Sequence, residues 1–126
     1  MVEFSPTPQS FSIFSQDLDE ATTNRFKQAS EISIDTEAMG LIHGRDRLCL
    51  VQICDPEDNV ACIRIDINQK SAPRLKDLLE NTTITKVFHF ARFDVAALAN
   101  GLGIKVKPIF CTKIASKLGR TYSPRH

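Results

Sequence analysis

The chain has 126 residues, 42% of them hydrophobic, and a net charge of +1, which bounds it to one small globular domain spanning 1–126. All 15 acids lie at or before Asp94, against ten Lys and Arg, whereas six bases and no acid follow it, from Lys105 to Arg125. This asymmetry excludes little by itself but points to a polyanionic partner or to an acidic segment facing the basic one. The N-terminus has no charged region leading into an apolar one, and no apolar run approaches about 18 residues, so secretion and membrane spanning are not expected.

In chain order, SFSIFS (Ser10 to Ser15) alternates polar and apolar and reads as a short edge strand. SQDLDEATTNRFKQAS then predicts a helix, with Ser15 as its N-cap and acids in its first turn. EISID, from Glu31, is a strand, and DRLCLVQICD (Asp46 to Asp55) a longer one that Pro56 and polar residues turn into a third, VACIRIDI (Val60 to Ile67). SAPRLKDLLEN predicts a helix capped by Ser71, with Pro73 in the first turn and Leu75, Leu78 and Leu79 in one stripe. ITKVFHF is a further strand, and ARFDVAALANGLG a helix closed by Gly101 or Gly103. KPIF reads as one more short strand and TKIASKLG as a last short helix. The pattern predicts a mixed α/β sheet: an antiparallel meander of three strands, then parallel strands joined by crossover helices, with helices on both faces.

Cys49, Cys54, Cys62 and Cys111 contain no CxxC pair, and the first three lie in apolar runs. They read as buried, reduced thiols in a cytoplasmic protein rather than zinc ligands or a disulfide framework.

The acids carry the chemistry. Asp35 and Glu37 stand two apart on a strand, so they project to one face. Close carboxylates repel unless a proton or cation lies between them, although at a strand end they could be merely solvated. Asp94 shares a helical stripe with Phe90, Phe93, Ala97, Leu98 and Leu102, which turns it toward the sheet. An unpaired carboxylate there is costly and calls for a partner. Arg45, Arg47 or Arg92 could serve, as could a metal held jointly with Asp35 and Glu37. Hard oxygen ligands suit Mg²⁺ or Mn²⁺, and the chemistry that follows is two-metal phosphodiester hydrolysis.

These segments resemble the ribonuclease D group of DEDD-type 3′→5′ exonucleases. SIDTEAMGL is similar to the first motif of that family, RDRLCLVQI to its next strand, ITKVFHFARFDVAAL to the second motif, and FCTKIASKLGRTY to the stretch beyond. The resemblance runs from about Ile32 to His126. It implies a ribonuclease H-like fold and two divalent ions, Mg²⁺ or Mn²⁺, on Asp35, Glu37 and Asp94. It implies contact of Thr36, Met39 and Leu41 with the terminal nucleotide. It also implies action on single-stranded RNA 3′ ends, with single-stranded DNA as the alternative substrate. His89 stands where the second motif begins and reads equally as a neighbour of the substrate strand or as a satisfied strand-end histidine. Phe90 and Phe93 are core at this spacing, or base-stacking groups. The family's third motif, a Tyr or His four residues before an Asp, has no counterpart: no acid follows Asp94, and Tyr122 is the sole tyrosine. The expectation is therefore a C-terminally incomplete domain. It is either an exonuclease or an inactive nucleic-acid- or protein-binding fragment of the same fold, with self-association through surface left uncovered.

Overall fold

Strand β1 (Ser10–Ser15) opens the computed structural model, which describes residues 10–38 and 47–112. There follow α1 (Glu20–Phe26), β2 (Glu31–Ala38), β3 (Leu48–Cys54), β4 (Asn59–Arg64), α2 (Pro73–Leu79), β5 (Thr85–Phe88), α3 (Ala91–Leu102) and β6 (Ile109–Cys111). The helix expected over TKIASKLG lies outside the described residues.

The six strands form one sheet in the order β1-β4-β3-β2-β5-β6. β2, β3 and β4 make the expected antiparallel meander, while β1 lies parallel to β4, and β5 and β6 continue parallel to β2. The expected mixed α/β sheet is therefore present. The crossovers through α1, α2 and α3 all advance in one direction along the sheet, and right-handed crossovers of that kind put their helices on one face. The expectation of helices on both faces is corrected for the described residues. β2 records the result directly, alternating exposed and buried from Glu31 to Glu37. Its buried side chains, Ile32, Ile34 and Thr36, lie under the helices, and Asp35 and Glu37 point to the helix-free face.

The core lies between that sheet face and the helices. Val51, Ile53 and Ile63 from the meander meet Leu75, Leu78 and Leu79 of α2 and Leu98 of α3, all fully buried. Each such side chain contributes about 1.5–3 kcal/mol. On the helix-free face Phe11 and Ile13 of the edge strand remain 55% and 64% exposed.

Several boundaries depart from the sequence expectation. α1 starts at Glu20 because the Asp19 carboxylate, not Ser15, accepts the Thr22 amide at 2.8 Å. α2 has no cap from its own flank, Ser71 included. The distant Asp17 accepts the amides of Arg74 and Leu75, each at 2.9 Å. α3 ends as expected at Gly103, whose φ of 66° is the left-handed conformation that a Cβ disfavours. Gly101 lies inside α3, where an added Cβ would approach the Leu48 Cβ to 3.2 Å, so its role is close helix–sheet packing. All four cysteines are free, but only Cys62 is buried; the other three are half-buried.

Candidate active site

β2 and β5 run parallel, and their register covers only Glu31 to Ser33 of β2. β5 stops at Phe88 and the chain enters α3 at Ala91. Past Ser33 the edge of β2 that faces β5 is therefore open among the described residues, and the first turn of α3 comes to its carboxyl end. Open α/β sheets place their ligand crevices at such an end. A cleft of about 770 Å³ lies there, walled by Ile34, Val87, Phe90 and Phe93 and bordered by Asp35, Thr36, His89, Asp94 and Thr112.

Asp94 sits in the first turn of α3, where the helix dipole favours a negative charge. It is 4% exposed. Among the described residues its partner is neither Arg47 nor Arg92. Arg47 donates to the Ile65 carbonyl at 2.8 Å, Arg92 is exposed, and Arg45 lies outside the described residues. Instead the Thr36 hydroxyl donates to Asp94 Oδ1 across 58 positions of sequence. Burial pushes the Asp94 carboxyl above its ordinary range, the Thr36 hydroxyl draws it back, and the nearby Asp35 charge pushes it up again.

Asp35 and Glu37 are exposed on the helix-free face, as their spacing requires. Asp35 Oδ1 accepts the Thr36 amide at 3.1 Å, which folds this carboxylate back toward the open edge and Asp94. Glu37 stands two residues on, beside a register shift between Glu37 and Ala38. Among the described residues, no three His, Cys, Asp or Glu side chains gather into a ready-made metal site. Asp35 and Asp94 nevertheless suit a shared hard cation. They are two mutually repelling carboxylates, one of them buried, and no ammonium or guanidinium group pairs with Asp94 among the described residues.

His89 lies on the cleft rim with Nδ1 2.9 Å from Thr112 Oγ1, and Thr112 also donates to the Phe88 carbonyl at 3.3 Å. It is thus both beside the cleft and hydrogen-bonded. Phe90 is 49% exposed, so its assignment to the core is corrected; it precedes the first turn of α3 and faces the cleft. Phe93 is half-buried in the cleft wall. Thr36 lines the cleft while being only 7% exposed. Met39 and Leu41 lie outside the described residues. Thr112 was missed from sequence as a neighbour of His89; nothing local signals a contact made across β5 and β6.

A family model described as a 3′-5′ exonuclease matches residues 11–123. The chain belongs to the ribonuclease D-like 3′–5′ exonucleases. It is 35% identical over 89 residues to Ribonuclease D of Bartonella henselae, covering 69% of this chain and 21% of that protein. It is 32% identical over 85 residues to Ribonuclease D of Nitrobacter hamburgensis, covering 68% of this chain and 22% of that protein. Among solved structures, the exonuclease domain superposes on Brucella melitensis NrnC with a TM-score of 0.85 and 46% identity, over 93% of this chain and 55% of that one. The same protein with bound Mg²⁺ gives 0.86, over 94% and 57%. Escherichia coli RNase D, at 23% identity and a TM-score of 0.69 over 86% and 28%, shares the fold. The chain thus spans about half the length of NrnC and about a fifth of these two curated relatives.

Proposed function

We propose that this exonuclease domain serves a divalent-metal-dependent nuclease that removes nucleotides from the 3′ ends of single-stranded RNA. The observation that carries the reading is the buried Asp94, set against Asp35 at the mouth of an aromatic-walled cleft, with no cationic side chain paired to it among the described residues. Asp35, Glu37 and Asp94 would hold two ions, Mg²⁺ or Mn²⁺. When bound, such ions supply an activated water and stabilise the departing 3′ oxygen. The NrnC structures bound to Mg²⁺ and to pGG support this choice of metal and substrate class.

The remaining residues bind and orient. Phe90 and Phe93 offer ring faces to a terminal base, and stacking of that kind tolerates any base. Thr36, Met39 and Leu41 belong to the terminal-nucleotide contacts. Thr112 holds the His89 ring at the rim; in its neutral form, with the Thr112 proton directed at Phe88, the ring carries its proton on Nδ1. Four free thiols suit a cytoplasmic setting. The exposed Phe11 and Ile13 suit self-association.

The test is digestion of 5′-labelled single-stranded RNA by the 126-residue chain with Mg²⁺ or Mn²⁺, with single-stranded DNA in a parallel arm. A 3′-shortened ladder, lost with chelator and in Asp35→Ala, is the expected result. A ladder on DNA alone would overturn the RNA assignment. RNA binding without shortening would favour the second reading, an inactive binding module.

A further inference from the structure

Thr36 stands between the two acids of the Asp-x-Glu pair, yet its side chain faces the opposite side of the sheet and is buried under α3. A β-branched residue in a strand would be unremarked there as packing. Its two polar groups, however, reach both carboxylates, and the amide also draws down the Asp94 carboxyl. The hydroxyl donates to Asp94 Oδ1, and the amide donates to Asp35 Oδ1 at 3.1 Å. That amide lies on the stretch of β2 that β5 leaves unpaired, so among the described residues no ladder partner claims it on this side. Two acids 59 positions apart in sequence, on opposite sides of the sheet plane, therefore converge on one residue.

We propose that Thr36 is a positioning residue that sets the separation of Asp35 and Asp94 for a divalent cation, its hydroxyl fixing Asp94 and its amide lying between the two carboxylates. The proposal rests on the metal-dependent exonuclease reading and deepens it: sequence resemblance gives Thr36 to the nucleotide, and the geometry gives its hydroxyl to a ligand carboxylate. Holding a ligand by a buried neutral donor restricts its rotamers before the ion arrives. Loss of such an outer partner costs about 10- to 100-fold in metal affinity.

The experiment is a Mn²⁺ titration of the full 126-residue chain by calorimetry, on wild type, Thr36→Val, Thr36→Ala, Thr36→Ser and Asp94→Asn, each first checked for cooperative thermal unfolding. Thr36→Val keeps the shape and removes only the hydroxyl, Thr36→Ala is a second hydroxyl-free variant should valine disturb the packing, and Thr36→Ser restores the donor. The expected result is a Mn²⁺ dissociation constant raised about tenfold or more in Val and Ala, and within about twofold of wild type in Ser. Val and Ala that bind Mn²⁺ like wild type would overturn the positioning role and leave the metal reading standing. The role is also overturned if Ser weakens binding as much as Val does. A wild type that binds no Mn²⁺, or binds it equally well as Asp94→Asn, would overturn the metal reading and the positioning role together.

Discussion

Lys86 is fully buried, and its Nζ donates to the carbonyls of Asn81 and, at 2.8 Å, Lys107. An ammonium in that position ties the turn before β5 to the segment before β6. Burial also lowers its pKa from 10.5 to about 8. The folded protein then holds this proton less tightly than the unfolded chain, which still binds it up to its own pKa. Stability from this group must therefore rise as pH goes from about 8 to about 10.5. Urea unfolding across that window should show wild-type stability climbing relative to Lys86→Met. At pH 7 the variant should be less stable by about 1–3 kcal/mol, because two carbonyls lose their donor. Parallel curves for the two proteins would refute the assignment.

Asp94→Asn should separate stability from function. The folded Asp94 carboxyl is raised above its unfolded value, so the fold favours its protonated form. Its contribution is fully present below the ordinary carboxylate range and is lost as pH rises through the folded value. At neutral pH the amide should raise the unfolding midpoint by a few degrees, on the order of 1 kcal/mol. Nuclease activity should fall about a hundredfold or more. Added Mn²⁺ should raise the midpoint of the wild type and leave that of the variant unchanged, as scanning calorimetry would record.

Asp17 caps α2 across more than fifty residues of chain, at Arg74 and Leu75. Asp17→Ala should cost about 1–2 kcal/mol, with Asp17→Asn retaining part of it. Denaturant midpoints at constant slope would report this. An unchanged midpoint would mean that water caps the helix equally well.

Gly103 closes α3 at a φ of 66°. Gly103→Ala should destabilise the domain by about 1 kcal/mol through the Cβ penalty of the left-handed conformation, and Gly103→Asn by less. The same unfolding measurement decides it, and equal losses for the two substitutions would point to packing instead.

Much of this was legible in the sequence, and the failures have a common cause. The strand runs, the meander and the helix bearing Asp94 follow from periodicity and turn residues, and each is present. The expected caps Ser15 and Ser71 failed because a cap is chosen by which oxygen reaches the orphan amides: Asp19 is nearer for α1, and for α2 the folded chain delivers Asp17. Phe90 failed as a core residue because it precedes the first turn of α3, where the stripe no longer faces the sheet. Arg47 and Arg92 failed as partners for Asp94 because a threonine hydroxyl from β2 satisfies it.

The sequence by itself determined that Asp35 and Glu37 share a face and that Asp94 turns toward the sheet. Both statements depend only on the periods of strand and helix, which are properties of the local backbone. Only the tertiary structure decided that Asp94 meets Thr36 and that Asp35 folds back to the same residue. Those contacts depend on β5 lying beside β2, on that pairing covering only Glu31 to Ser33, and on α3 entering where it stops. Such register and crossover relations are set by packing across the whole sheet, and no window of sequence contains them.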